Sequence, residues 1–223
     1  AMLLPLTAIL IAYIAMGVFP FGNQATMIID SYHQYVPFFS EFHDKIWHGE
    51  SFLYSWHGSL GFNFIAVQAY YLASPVNWLI ILCPKKFIIE FMTILIMVKT
   101  GLCGVTFTWY LDHHFEKKHF VAGVFGIFYA LSGYMAAYSW NIMWLDCIFL
   151  LPLILYGLEQ LVQEKKGLFY CVTLGLSILS NYYISIMICI FMVMYVIMQV
   201  ILNPPKGVKE LAATGVRFGF YSL

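Results

Sequence analysis

Apolar runs long enough to cross a bilayer recur along this chain, and they constrain its fold before any motif is read. A spanning helix needs about 20 apolar residues. Residues 3–21 form the first such run, followed by 87–111, 120–138 and 147–162. The stretch 168–200 is too long for one crossing and slightly short for two, but Asn181-Tyr182-Tyr183 breaks it near the middle. The pattern therefore predicts six spans, at about 3–21, 87–111, 120–138, 147–162, 168–180 and 184–202. Asn203-Pro204-Pro205 ends the sixth, because proline removes a backbone donor and clashes with the preceding turn. A seventh apolar stretch begins near Leu211 and stops at Leu223, so the chain reads as the amino-terminal part of a longer membrane protein. Ala1-Met2 reads as a cloning remnant ahead of a native start.

Composition agrees with an all-α polytopic membrane protein. Hydrophobic residues make up 62% of the chain, charged residues 10%, and mean hydropathy is +0.81. A soluble domain carries roughly 25% charged residues to cover its surface. The solvent for most side chains here is lipid or a neighbouring helix, so the bilayer is the first partner implied. Net charge is zero, and no basic patch exists to collect phosphates, which excludes a nucleic-acid partner. The cysteines (Cys83, Cys103, Cys147, Cys171, Cys189) sit in apolar runs without a C-x-x-C pair, as small hydrophobes rather than zinc ligands.

Charge orients the bundle. Lys117 and Lys118, Lys165 and Lys166, and Lys206 and Lys209 fall in three short loops on one side of the six-span topology. The positive-inside rule makes that side cytoplasmic. The extracytoplasmic side receives the long loop 22–75, the loop 139–146 and the break 181–183. Lys85 and Lys86 run against the bias. The apolar piece 76–83 is too short to span, and Pro84 closes it, so it reads as re-entrant or interfacial.

The outer segments concentrate the residues that carry chemistry. Apolar positions recur at Tyr32, Tyr35, Val36, Phe39, Phe42 and Ile46, the pattern of an amphipathic helix in the interface with Glu41, Asp44 and Lys45 toward water. Pro37 suits the first turn of such a helix. Asp30 stands at its beginning and has two readings: a carboxylate satisfying free backbone N–H groups, or a general base within reach of an incoming hydroxyl. Asp146 precedes an apolar span and carries the same two readings, capping or catalytic. Candidate substrate contacts are His33, Gln34, Tyr35, Trp56, His57, Tyr70, Tyr71 and Asn141 in the outer loops. The outer histidines His33, His43, His48 and His57 match no zinc signature, whereas Asp30 with Asp146 leaves room for a divalent cation. Lys99 lies mid-span, where a charge needs a partner; it has a lipid phosphate or a later helix to meet. Glu90 lies near enough to the surface to snorkel. His113, His114 and His119 read as solvated or headgroup-contacting.

Asp30-Ser31-Tyr32-His33-Gln34-Tyr35, the glycine segment 55–63, Tyr70-Tyr71 with Ser74-Pro75, Asn141-Ile142-Met143-Trp144-Leu145-Asp146 and Ser180-Asn181-Tyr182-Tyr183 resemble, in this order, bacterial YfhO-type membrane proteins. That family is similar to GT-C glycosyltransferases. The resemblance implies a GT-C-like helical bundle whose long first extracytoplasmic loop holds a catalytic aspartate, matched by Asp30. It also implies a polyprenyl-phosphate-linked sugar donor and an extracytoplasmic cell-wall glycan acceptor such as teichoic acid. Asp146 falls where some members place a further acidic residue, but the D-x-D pair of certain members is lacking. The competing class is a transporter or lipid flippase, for which Lys99 and the broken helix at Asn181 speak. A non-enzymatic scaffold would need neither Asp30 nor Asp146.

Overall fold

A computed structural model describes residues 3–19, 21–58, 60–115 and 120–222. Ala1, Met2, Lys117, Lys118, His119 and Leu223, which enter the sequence reading above, lie outside the described residues. The protein is an all-α polytopic membrane protein with one small hairpin. Helix α1 (Leu3–Ala15) is apolar throughout but has only 13 residues, and a turn at Gly17, in the left-handed region at φ +64°, ends it ahead of position 21. At about 1.5 Å per residue it covers about 20 Å of a hydrocarbon layer roughly 30 Å thick.

The long loop is built rather than slack. One turn of π-helix, Ser31–Tyr35, runs straight into α2 (Val36–His48), with Pro37 in its first turn and Gly49 at φ +64° closing it. Strands β1 (Tyr54–Ser55) and β2 (Phe62–Asn63) pair antiparallel, Tyr54 opposite Asn63 and Ser55 opposite Phe62. Asn63 caps α3 (Phe64–Val67), whose path continues through a second π turn, Gln68–Leu72. A 3-10 helix, Pro75–Leu82, follows, and the chain bends by 103° between Phe64–Leu72 and Pro75–Leu82. That bend makes the segment a broken span or a re-entrant loop.

The remaining helices are α4 (Ile88–His114), α5 (Phe120–Ala130), α6 (Gly133–Tyr138), α7 (Ile142–Gln163), α8 (Leu168–Ser180), α9 (Tyr182–Leu202) and α10 (Val208–Ser222). Among the described residues, four stretches are long and apolar enough to cross a membrane: Lys85–His114, Phe120–Tyr138, Ile142–Gln163 and Tyr182–Leu202. The other two expected spans, α1 and α8, are apolar but have 13 residues each. The span expected at 120–138 is interrupted between α5 and α6, where Ser132 takes an extended conformation at ψ 161°. The helix expected from 147 begins at Ile142, so Asp146 lies inside α7. The apolar stretch expected near Leu211 is α10, which starts at Val208, carries Lys209, Glu210 and Arg217, and packs on α7 and α8.

Helix α7 is the axis of the bundle, packed on α4 along one side and on α8 and α9 along the other. Two apolar cores meet along it. Tyr35, Phe39, Phe42, Phe64, Met92 and Leu145 fill the one beneath the long loop, and Leu150, Ile154, Leu158, Tyr170, Leu174 and Met192 fill the second. Against this interior, α9 leaves Ile186, Met187, Ile190, Met194, Ile197 and Ile201 exposed, an apolar surface that belongs in lipid. The expectation that Glu41 and Lys45 face water is corrected: the hairpin folds over α2, leaving them 8% and 3% exposed, and Trp47 takes the outward position.

Close backbone approach holds the axis. A Cβ at Gly157 of α7 would stand 2.7 Å from the Tyr170 Cα of α8. Gly157→Val is expected to destabilise the protein by about 1–3 kcal/mol, because neither backbone can yield without shifting its helix. Gly175→Ala, on α8 with nothing within 4 Å of the added carbon, is the control. Thermal unfolding in detergent should show a lowered midpoint for the first and an unchanged or raised one for the second.

Candidate active site

A buried ion pair organises the site end of the bundle. Lys99, fully buried in α4, donates to Asp146 Oδ2 at 2.5 Å, to Asn77 Oδ1 at 3.2 Å and to the Ile142 carbonyl at 3.2 Å. An ammonium has three N–H groups, and here each has an acceptor. Asp146, 1% exposed, accepts a second hydrogen bond on Oδ1 from Ser74 Oγ at 2.6 Å. Ser74 in turn starts the 3-10 helix by accepting from the Val76 N–H. Charges at membrane depth persist only when matched and fully hydrogen-bonded, and this pair meets both conditions. Two expectations are corrected by it. Lys99 faces neither a lipid phosphate nor a helix beyond this chain, and Asp146 does not cap α7, since Asn141 occupies the cap position.

Asp30 is placed differently. It sits at the start of the π turn, half-buried, yet its side chain makes no capping hydrogen bond. Its Oδ1 accepts instead from Gln34 Nε2 at 3.3 Å, and Gln34 Oε1 accepts from the Tyr71 hydroxyl at 2.9 Å. Among the described residues, Oδ2 has no hydrogen-bond partner. Tyr71 lies against Tyr35, Phe38 and Tyr70, with ring centroids 5.4, 5.0 and 4.7 Å away. Burial, then the neighbouring phenols and Asp30, pushes the Tyr35 and Tyr71 hydroxyls above their usual range, so they remain donors at neutral pH. Tyr70 is raised by burial first and then by Tyr182 and Tyr183.

Segments remote in sequence hold this cluster together. Tyr35 donates to Asn141 Oδ1 at 2.8 Å, and Ser31 Oγ donates to the Trp140 carbonyl at 2.9 Å. Asn181, whose side chain caps α9 at the Ile184 N–H, also donates to the Tyr70 carbonyl at 3.2 Å. The loop 22–75, the loop 139–146 and the break at Asn181 thus meet at one end of the bundle. The two carboxylates have separate partners, but one polar chain joins them. It runs from Asp30 through Gln34 to Tyr71, from the Tyr71 carbonyl to Asn77 at 3.5 Å, and on to Lys99 and Asp146.

Of the residues expected to contact substrate, Gln34, Tyr35, Tyr70, Tyr71 and Asn141 gather around Asp30. His33 does not: it is exposed and lies edge-on to Tyr32. Trp56 is 78% exposed on the hairpin, against Tyr54 alone among rings. His57 stands beside Glu41 over a different cavity. Among the described residues, no three His, Cys, Asp or Glu side chains converge to hold a metal ion, and the divalent cation expected between Asp30 and Asp146 would need both on one cavity. Sequence reading missed Ser31, Asn77 and Tyr134; the last packs against the Tyr35 core with a buried hydroxyl that has no hydrogen-bond partner. Ser74 was visible only as a Ser-Pro start to a short helix.

The ion pair makes a sharp expectation. Lys99→Met and Asp146→Leu should each cost about 3–5 kcal/mol by stranding a buried charge, and the double variant should recover most of that loss. Unfolding of the three variants in detergent measures it; costs that simply add would show that the two residues do not act as a pair.

A family profile described as "Bacterial membrane protein YfhO" matches residues 1–223. Comparison with curated proteins and with solved structures returned no match in either case. With the profile covering the whole chain and several apolar helices behind it, this protein belongs to the YfhO family of bacterial membrane proteins.

Proposed function

We propose that the protein is a glycosyltransferase of the bacterial cytoplasmic membrane, moving a sugar from a polyprenyl-phosphate donor to an extracytoplasmic cell-wall polymer such as teichoic acid. The observation that carries this reading is the state of Asp30. Its carboxylate neither ties off a helix nor sits in an ion pair; it is half-buried, steadied on one oxygen by Gln34, and bordered by phenols that stay protonated.

In the reaction proposed, the acceptor hydroxyl oxygen attacks the anomeric carbon of the donor sugar. The bond from that carbon to the phosphate oxygen breaks, the polyprenyl phosphate leaves, and Asp30 takes the hydroxyl proton through its unengaged oxygen. Gln34 and Tyr71 hold the carboxylate in register, and Tyr70 borders the sugar. Lys85 is committed to Asp44 at 2.5 Å and Lys99 to Asp146, which leaves Lys86, exposed at the start of α4 beside Phe87, to meet the leaving phosphate. The proposed active face is extracytoplasmic, opposite the loops carrying Lys165, Lys166, Lys206 and Lys209. A transport reading loses its main support, because Lys99 has no N–H left for a passing substrate.

Purified full-length protein, a polyprenyl-phosphate sugar and candidate acceptor polymers provide the test. Asp30→Asn is expected to lower transfer at least about 100-fold, the scale of a lost general base, with the unfolding midpoint unchanged. Full activity in that variant would remove Asp30 from the chemistry. Movement of the lipid-linked sugar across the bilayer with no new glycosidic bond would overturn the enzymatic reading altogether.

A further inference from the structure

A cavity of about 460 Å³ lies against Phe38, whose ring also contacts Tyr71. That is within the roughly 300–1,000 Å³ range of small-molecule sites. Phe38 and Phe62 supply its apolar walls, and Glu41, Asp44, His57 and Lys85 supply its polar groups. We infer that this cavity binds a neutral, hydroxyl-rich ligand, a glycosyl unit, through the Glu41 carboxylate. Placing that unit on the acceptor polymer rests on the transferase reading above.

The unusual group is Glu41. It is only 8% exposed, and among the described residues its buried Oε1 has no hydrogen-bond partner. Two nitrogens stand near without closing on it: Lys45 Nζ at 3.6 Å and His57 Nδ1 at 3.5 Å. Lys45 is turned to the carbonyls of Ser51 and Tyr54, each at 2.9 Å, and so is committed elsewhere. His57 covers the oxygen from outside on a side chain that is 71% exposed, and rotation of that ring uncovers it. A buried carboxylate oxygen left unbonded is a standing demand for a donor.

Charge selects the kind of donor. Glu41 has Lys45 beside it, shared with the outlying Glu50, and Asp44 has Lys85, so each carboxylate lining the cavity has an ammonium next to it. Burial draws the Asp44 carboxyl upward, but the hydrogen bond and charge of Lys85 outweigh it and hold the group ionised, below the usual carboxylate range. An anion would meet two carboxylates, and a cation would meet Lys85 with Lys45 standing behind Glu41. A sugar offers hydroxyl donors to Glu41, a hydroxyl to the His57 ring, and a C–H face to Phe38 and Phe62. Phe38 also touches Tyr71, whose hydroxyl holds Gln34 against Asp30, so the cavity adjoins the proposed reaction centre.

Saturation-transfer NMR on the full-length protein in nanodiscs tests this, with methyl β-glucoside, methyl β-N-acetylglucosaminide and inorganic phosphate as probes. A saccharide signal is expected, with phosphate silent. Glu41→Ala should weaken saccharide binding at least tenfold, and so should Ser40→Phe, which fills the cavity from its half-buried wall and leaves every charge in place. Asp30→Asn should bind saccharide as the wild type does while losing transfer. Should Glu41→Ala fail to fold, Ser40→Phe decides alone. No saccharide signal, a signal untouched by Ser40→Phe, or preferential binding of phosphate overturns the inference. Saccharide binding that follows this pattern in a protein with no transfer activity keeps the site and discards only the acceptor assignment.

Discussion

The contact between Lys99 and Asp146 constrains everything around it. A lysine in the middle of α4 and an aspartate inside α7 are each too costly to bury alone, so α4 and α7 must meet at this height and in this rotation. The pair also dictates what lies above it. Asp146 needs Ser74 and Lys99 needs Asn77, so the bent segment after α3 is drawn down onto the helices rather than left on the surface. A buried charge pair acts here as a register pin.

That pin reaches Asp30 indirectly. Asn77 touches the backbone of Tyr71, the Tyr71 hydroxyl holds Gln34, and Gln34 holds Asp30. Tyr35, Ser31 and Asn181 lock the same region from other sides. The one-turn π-helix matters because it sets Asp30 beside Gln34, and Tyr35 beside Asn141, at the same time. In this arrangement Lys99 and Asp146 are engaged with each other, and Asp30 keeps one oxygen without a hydrogen-bond partner among the described residues.

Much of the fold was legible in the chain. The apolar runs located α4, α8 and α9 to within a few residues, and the outer-loop motifs converge at one end of the bundle as their shared side of the topology requires. The errors have a common origin. Starting the fourth run at Cys147 assumed that an aspartate cannot lie within an apolar helix, and exposing Glu41 and Lys45 assumed that charges on an amphipathic helix face water. Both assumptions fail when another part of the chain brings the opposite charge or a set of carbonyls. The Asp30 neighbourhood was half legible: Gln34, Tyr35, Tyr70, Tyr71 and Asn141 were named from their motifs, whereas Trp56 and His33, equally rich in chemistry, point elsewhere.

By itself the sequence determined the solvent of this protein, the rough position of most of its apolar helices, and which outer segments share an end. Those follow from local hydropathy and from charge counted along one dimension. Only the tertiary structure decided which carboxylate is consumed by packing and which remains available, because that depends on partners distant in sequence. Asp30 and Asp146 read alike as residues. They differ because Lys99 lies against one of them and a glutamine steadies the other.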